Sequence, residues 1–275
     1  MKKILLFIFM LVLGTVSFAE NIVITSIQPL YSLTSYLTKG TDIKVYTPFG
    51  SETSMTMSKE AIREEGFDLS VAKKAQAVVD IAKVWPEDVI YGKARMNKIN
   101  IVEIDASYPY DEKMTTIFFS DYSNGEVNPY IWTGSKNLVR MVNIISRDLI
   151  RLYPQNKAKI EKNVNKFTND LLKLENEANE KLLSVDNASV ISLSENLQYF
   201  LNDMNIYAEY VDYDSVTAEN IANLVRDKGI KVVISDRWLK KNVIKALKDV
   251  GGEFVIINTL DIPMDKDGKM DPEAI

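Results

Sequence analysis

The 275-residue chain contains no cysteine and no histidine. Without cysteine there is no disulfide framework, no thiolate nucleophile and no thiol to carry a lipid anchor. Without histidine the usual nucleophile–base pairs are missing, and so is the imidazole on which most zinc sites depend. The 11 glycines are scattered, and none forms a phosphate-cradling loop. Neighbouring acids such as Glu64/Glu65 and Asp265/Asp267 lie on polar segments and do not form a converging acid–base pair. These absences argue against an enzyme. Lys and Arg (33) are interleaved with Asp and Glu (38) for a net charge of −5, which argues against a nucleic-acid surface.

What is present begins with an export signal. Lys2 and Lys3 precede an apolar run at 4–12, and Ser17-Phe18-Ala19 forms a small-x-small cleavage site. Residues 1–19 therefore read as a signal peptide, with a mature chain starting at Glu20. No later apolar run is long enough to cross a bilayer. In a double-membraned cell the expected location is the periplasm, without lipidation.

The organising stretch is 156–183. Ile160, Val164, Phe167, Leu171, Leu174, Ala178 and Leu182 recur every three or four residues, without Gly or Pro, and Pro154 stands just ahead. Such a helix is roughly 40 Å long, about the width of a domain. Strand-like runs at 21–27, 43–47, 77–81 and 99–104 precede it, and runs at 190–193, 206–211, 231–235 and 254–258 follow it. Helical segments at 30–40, 59–65, 87–94, 134–152, 195–202, 217–228 and 239–250 separate them. Alternation of this kind predicts parallel sheets with right-handed crossovers. The expected fold is α/β, two lobes each with a small, mostly parallel sheet flanked by helices, joined by one long backbone helix. The lobes are read as 20–152 and 185–275, with the linking helix at 153–184. A single long helix packed on one sheet is the plainer alternative. Ligands of such sheets bind outside the carboxyl ends of the strands, which directs attention to loops near 48–58, 82–86, 194–196 and 235–237.

Several motifs, taken in order, resemble one family. They are IVITSIQPLYSLTSYLTKG at 22–40, Pro48-Phe49-Gly50-Ser51-Glu52, Asn128-Pro129-Tyr130-Ile131-Trp132, Tyr153-Pro154-Gln155-Asn156, SENLQYF at 194–200, and Ser235-Asp236. The chain resembles the periplasmic substrate-binding proteins of zinc and manganese ABC importers over essentially all of its mature length. The resemblance implies capture of a solute between the lobes and delivery to an inner-membrane ABC permease and its ATPase. It also places Ser54, Tyr130 and Ser194 where the family has histidine, and Asp236 where it has its last acidic ligand. Of these, only Asp236 is a ligand-type side chain for a metal.

Neutral hydroxyls bind soft or borderline metals poorly, so the site is expected to be non-standard. Ser54, Tyr130, Ser194 and Asp236, with Glu52 and Glu195 at the rim, offer oxygen donors. One candidate cargo is a hard divalent cation. The other is a small organic solute, enclosed by aromatics among Trp85, Tyr108, Tyr110, Tyr122, Tyr130 and Trp132. An exported scaffold without ligand is the remaining alternative. Met55 and Met57 flank Ser54 as possible thioether ligands, although methionines beside a cleft more often pack. The acidic run Asp265–Asp271 lacks the first and twelfth acids of a calcium loop and reads as a surface turn.

Overall fold

The computed structural model describes residues 20–50, 53–111, 113–185, 187–261 and 271–275. The segment 1–19 expected to be a signal peptide, the expected rim residue Glu52 and the acidic run before Asp271 lie outside the described residues.

Eight short strands form two four-stranded sheets, with β1 Asn21–Thr25, β2 Ile43–Tyr46, β3 Ala77–Asp80 and β4 Val102–Asp105 in the first. The second holds β5 Ser189–Ser192, β6 Tyr207–Tyr210, β7 Val232–Ser235 and β8 Glu253–Ile256. Strand order is β2-β1-β3-β4 in one and β6-β5-β7-β8 in the other, and every pairing is parallel. The central strands are β-branched and buried on both faces, as a helix-covered parallel sheet requires.

Helices α1 Gln28–Thr38, α4 Ser135–Leu152 and α5 Lys157–Leu182 cover one face of the first sheet. There Val23, Val79 and Ile104 meet Leu30, Leu33, Met141, Ile145, Ile160 and Phe167. Helices α2 Met55–Arg63 and α3 Ile90–Asn97 cover the other face, where Ile22, Ile24 and Val78 meet Ile62 and Ile90. The second sheet is packed by α7 Ala218–Lys228 and α8 Lys241–Asp249 on one side and α6 Gln198–Asp203 on the other. Thr217 caps α7 through a reciprocal bond with Asn220, as the sequence indicates. Helix α2 starts four residues earlier than expected, because Ser54 supplies its N-cap oxygen to Met57 N–H at 3.3 Å.

The backbone helix differs from a free strut in an instructive way. Ile160 and Phe167 are buried in the first lobe, with Phe167 edge-on to Tyr36 at 5.4 Å. Farther along, Leu174 is 62% exposed. Leu171, Leu174, Ala178 and Leu182 instead border an open groove of 480 Å³ shared with Phe200, Met204 and Ile206 of the second lobe. One apolar stripe thus serves two environments, a packed first half and a bridging second half. Phe167→Ala is expected to cost about 3–5 kcal/mol in urea unfolding. Leu174→Ala should change stability by no more than about 0.5 kcal/mol, since little area is removed from contact.

Polar contacts tie the lobes together beside this helix. Ser135, at the start of α4, donates to Glu175 of α5 and to Asp203 of α6, while Lys136 N–H donates to Asp203 at 3.0 Å. Trp132 Nε1 donates to the Thr259 carbonyl at 2.7 Å, and Gln28 exchanges two hydrogen bonds with the backbone of Asp271.

Candidate ligand-binding cleft

Strand order 2-1-3-4 reverses direction between β1 and β3, and again between β5 and β7. At such a reversal the loops leave in opposite directions and open a crevice. Ser194 follows β5 and Asp236 follows β7, so the second crevice brings together two residues 42 apart in sequence. Ser194 Oγ donates to Asp236 Oδ2 at 2.8 Å, and Asn196 Nδ2 donates to the same oxygen at 2.7 Å. The Asp236 side chain is only 7% exposed. Its other oxygen, Oδ1, is buried and accepts no hydrogen bond. Among the described residues, the cation paired with it is Arg237 Nε at 3.9 Å, whose guanidinium lies over the Tyr213 ring. A buried carboxylate oxygen left without a donor is costly, and a bound cation or donor would relieve it.

The opposite wall comes from the segment between β4 and α4. Asn128 is fully buried and holds this wall in place. It accepts from Tyr130 N–H at 2.9 Å and donates to the Glu195 carbonyl at 2.9 Å, while its own carbonyl accepts from Tyr199 Oη at 2.9 Å. Tyr122 Oη reaches across to Asn196 Oδ1 at 2.6 Å, completing a chain Tyr122–Asn196–Asp236–Ser194 that spans the lobes. Tyr130 stacks at a tilt on Trp132, with ring centres 5.1 Å apart. Burial pushes the hydroxyls of Tyr122 and Tyr130 well above their ordinary value, and the nearby charges of Asp236 and Asp261 add to it. Both hydroxyls stay protonated and serve as neutral donors.

Asp261 is the residue that sequence reasoning passed over. It follows β8, the third strand end of the second lobe. Its Oδ1 accepts from Met55 N–H at 2.9 Å, at the N-terminus of α2, and its charge is among those that raise the Tyr130 hydroxyl. The positive end of the helix favours a carboxylate there. Ser54, one residue earlier, uses its hydroxyl to cap the same helix. Asn196 was also passed over, although the strand-end rule points to it as it does to Ser194.

Other expected residues fall differently. Glu195 accepts from Ser123 N–H at 2.7 Å, so one of its oxygens fixes the facing loop. Tyr108 and Tyr110 are 54% and 86% exposed and line no cleft. Their segment turns outward over α4, where Asp111 pairs with Arg147. Trp85 is buried in the core of the first lobe. Met55 is also buried, and Met57 is on an exposed turn. No cluster of three or more acidic groups able to hold a metal occurs among the described residues. No helix among them is long and apolar enough to cross a membrane.

The profile of the family described as "Zinc-uptake complex component A periplasmic", ZnuA, matches residues 23–269. Among solved structures, one of ZnuA is 16% identical, with 87% of this chain and 91% of that chain covered and a TM-score of 0.66. The metal-dependent lipoprotein YcdH from Bacillus subtilis is 16% identical, with 90% of each chain covered and a TM-score of 0.71. The Zn(II)-bound ZnuA-like domain of AdcA from Streptococcus pneumoniae is 18% identical, with 88% of each covered and a TM-score of 0.66. At such identities these structures speak for the fold. No curated protein sequence matches the chain.

Proposed function

Because the chain belongs to the periplasmic zinc-uptake component A family, we propose that it is the extracytoplasmic solute-binding subunit of an ABC importer with an oxygen-only cargo site. Residues 1–19 export it, lobes 20–152 and 185–275 close on the cargo, and 153–184 links them. A membrane permease and its ATPase take the cargo onward. The cargo is a cation, and it sits between Asp236 and Asp261 with Ser194, Asn196, Tyr122 and Tyr130 around it. Ser54 and Glu195 support this site from the rim by fixing α2 and the facing loop. The observation that carries the reading is the orphaned, buried Oδ1 of Asp236. Oxygen donors suit hard ions such as Mn²⁺, Ca²⁺ and Mg²⁺ better than they suit Zn²⁺.

A second reading, a small organic cation, is favoured by the Tyr130–Trp132 pair and by the lack of a third converging carboxylate among the described residues. A thermal-shift panel on metal-stripped protein separates the two. Mn²⁺ or Ca²⁺ is expected to raise the melting temperature more than Zn²⁺ does. A response to small organic amines with silence from every metal would transfer the site to the second reading. No response to either would leave the scaffold role standing.

A further inference from the structure

A second depression, independent of the cleft, lies between α4 and the part of α5 from Lys157 to Glu175. Lys136, Arg140, Arg147 and Arg151 recur at helical spacing and face it together. Lys113 and Lys157 stand at its edges, and the groove encloses 1160 Å³. Apolar Val139, Ile150, Val164 and Leu172 line it beside polar Asn143, Ser146 and Asn165.

The charges are not equally available. Arg147 pairs with Asp111, Arg151 with Asp148 at 3.1 Å, and Lys136 with Asp203 at 3.2 Å. Of the two acids lining the groove, Glu161 lies 3.8 Å from Lys157 and Glu175 is engaged by Ser135. Arg140 is different. Its guanidinium carbon sits 3.6 Å over the Phe118 ring, and its Nη1 is buried with no hydrogen-bond acceptor. A planar cation held against an aromatic face, with one donor unmet, is preorganised for an incoming anion. The apolar lining residues call for a ligand that is aliphatic beyond its charged head.

We propose that this groove binds an anionic amphiphile of the long-chain carboxylate class, with its head on Arg140 and its chain along the apolar residues between α4 and α5. Arg147 and Arg151, already paired with Asp111 and Asp148, do not compete for the head.

Isothermal titration of the purified protein with sodium dodecanoate below its micelle concentration tests this, with acetate and dodecyl maltoside as controls. Dodecanoate is expected to bind one site saturably, with acetate silent and the neutral detergent at least about tenfold weaker. Arg140→Gln should weaken dodecanoate at least about tenfold. Lys113→Glu, at an exposed edge position, should weaken it several-fold without threatening the fold. Asp236→Asn, in the inter-lobe cleft, should leave it unchanged, which separates this site from the cargo site. Equal affinity for dodecyl maltoside, unaltered binding in both charge variants, or loss of binding in Asp236→Asn would each overturn the proposal.

Discussion

Asp236→Asn is expected to abolish the rise in melting temperature predicted for a hard divalent cation on the wild-type protein. At 100 times its dissociation constant a ligand adds about 2.7 kcal/mol, which for a chain of this size appears as roughly 5–10 °C. Asp236 Oδ2 already accepts from Ser194 and Asn196, which fixes the rotamer and leaves Oδ1 as the unoccupied donor to cargo. Asparagine keeps the shape and one acceptor but removes the charge, so the lobe stays folded while the cation loses one of two carboxylates. Loss of one buried charged partner weakens binding by about 2–4 kcal/mol, enough to erase the shift. Asp261→Asn is expected to do the same, because Asp261 faces Tyr130 from the other strand end. Glu195→Gln makes the contrast, since an amide oxygen can still accept from Ser123 N–H. A full shift retained in both Asp236→Asn and Asp261→Asn would end the oxygen-site reading.

The fold was legible in the sequence because its signals are local and repeated. β-branched runs ending in turns alternate with amphipathic helices, and parallel pairing follows from that alternation. The long helix was legible as a helix, but not its division of labour. Periodicity places Phe167 and Leu174 on one stripe, and only packing decides that Phe167 is buried and Leu174 is open. The site was half legible. Ser194 and Asp236 follow adjacent strands, so a rule about strand ends reaches them. Asp261 obeys the same rule one strand farther out, in a stretch with no motif to flag it. Tyr108 and Tyr110 misled because aromatic content in a long loop says nothing of which way the loop turns. The hydroxyl of Ser54 caps α2, an outcome that its Ser-Met-Thr-Met context does not distinguish from a ligand.

At the other topological reversal, between β1 and β3, two acids are buried. Asp80 is fully buried at the end of β3, and neither of its oxygens has a hydrogen-bond partner. Asp88 accepts from Ser26 Oγ at 2.5 Å, and its Oδ1 is likewise unpartnered. Burial pushes Asp80 well above the ordinary carboxylate range, and the charges of Asp88 and Asp105 push it further. Burial also raises Asp88, to about 7, against the hydrogen bonds from Ser26 and the Ile81 backbone. A carboxyl whose pKa is higher folded than unfolded favours the native state while protonated. Its contribution is therefore full below about pH 4 and is lost as pH rises through about 7. The gap from 3.8 to about 7 corresponds to at most about 4 kcal/mol, shared between the neighbouring acids Asp80 and Asp88. Glu87 has the opposite slope, but it is exposed and paired with Lys59 at the surface, where solvent screens most of the effect. Urea unfolding at pH 4, 6 and 8 should show the wild type losing stability with rising pH. Asp88→Asn keeps an acceptor for Ser26 and removes the ionisation, so it should match the wild type at pH 4 and exceed it at pH 8 by up to about 4 kcal/mol. Asp80→Asn should shift stability in the same direction. A wild-type profile that is flat or rises between pH 4 and 8 would show that these acids are not held neutral, and that the reversal in the first lobe is wetter than its burial indicates.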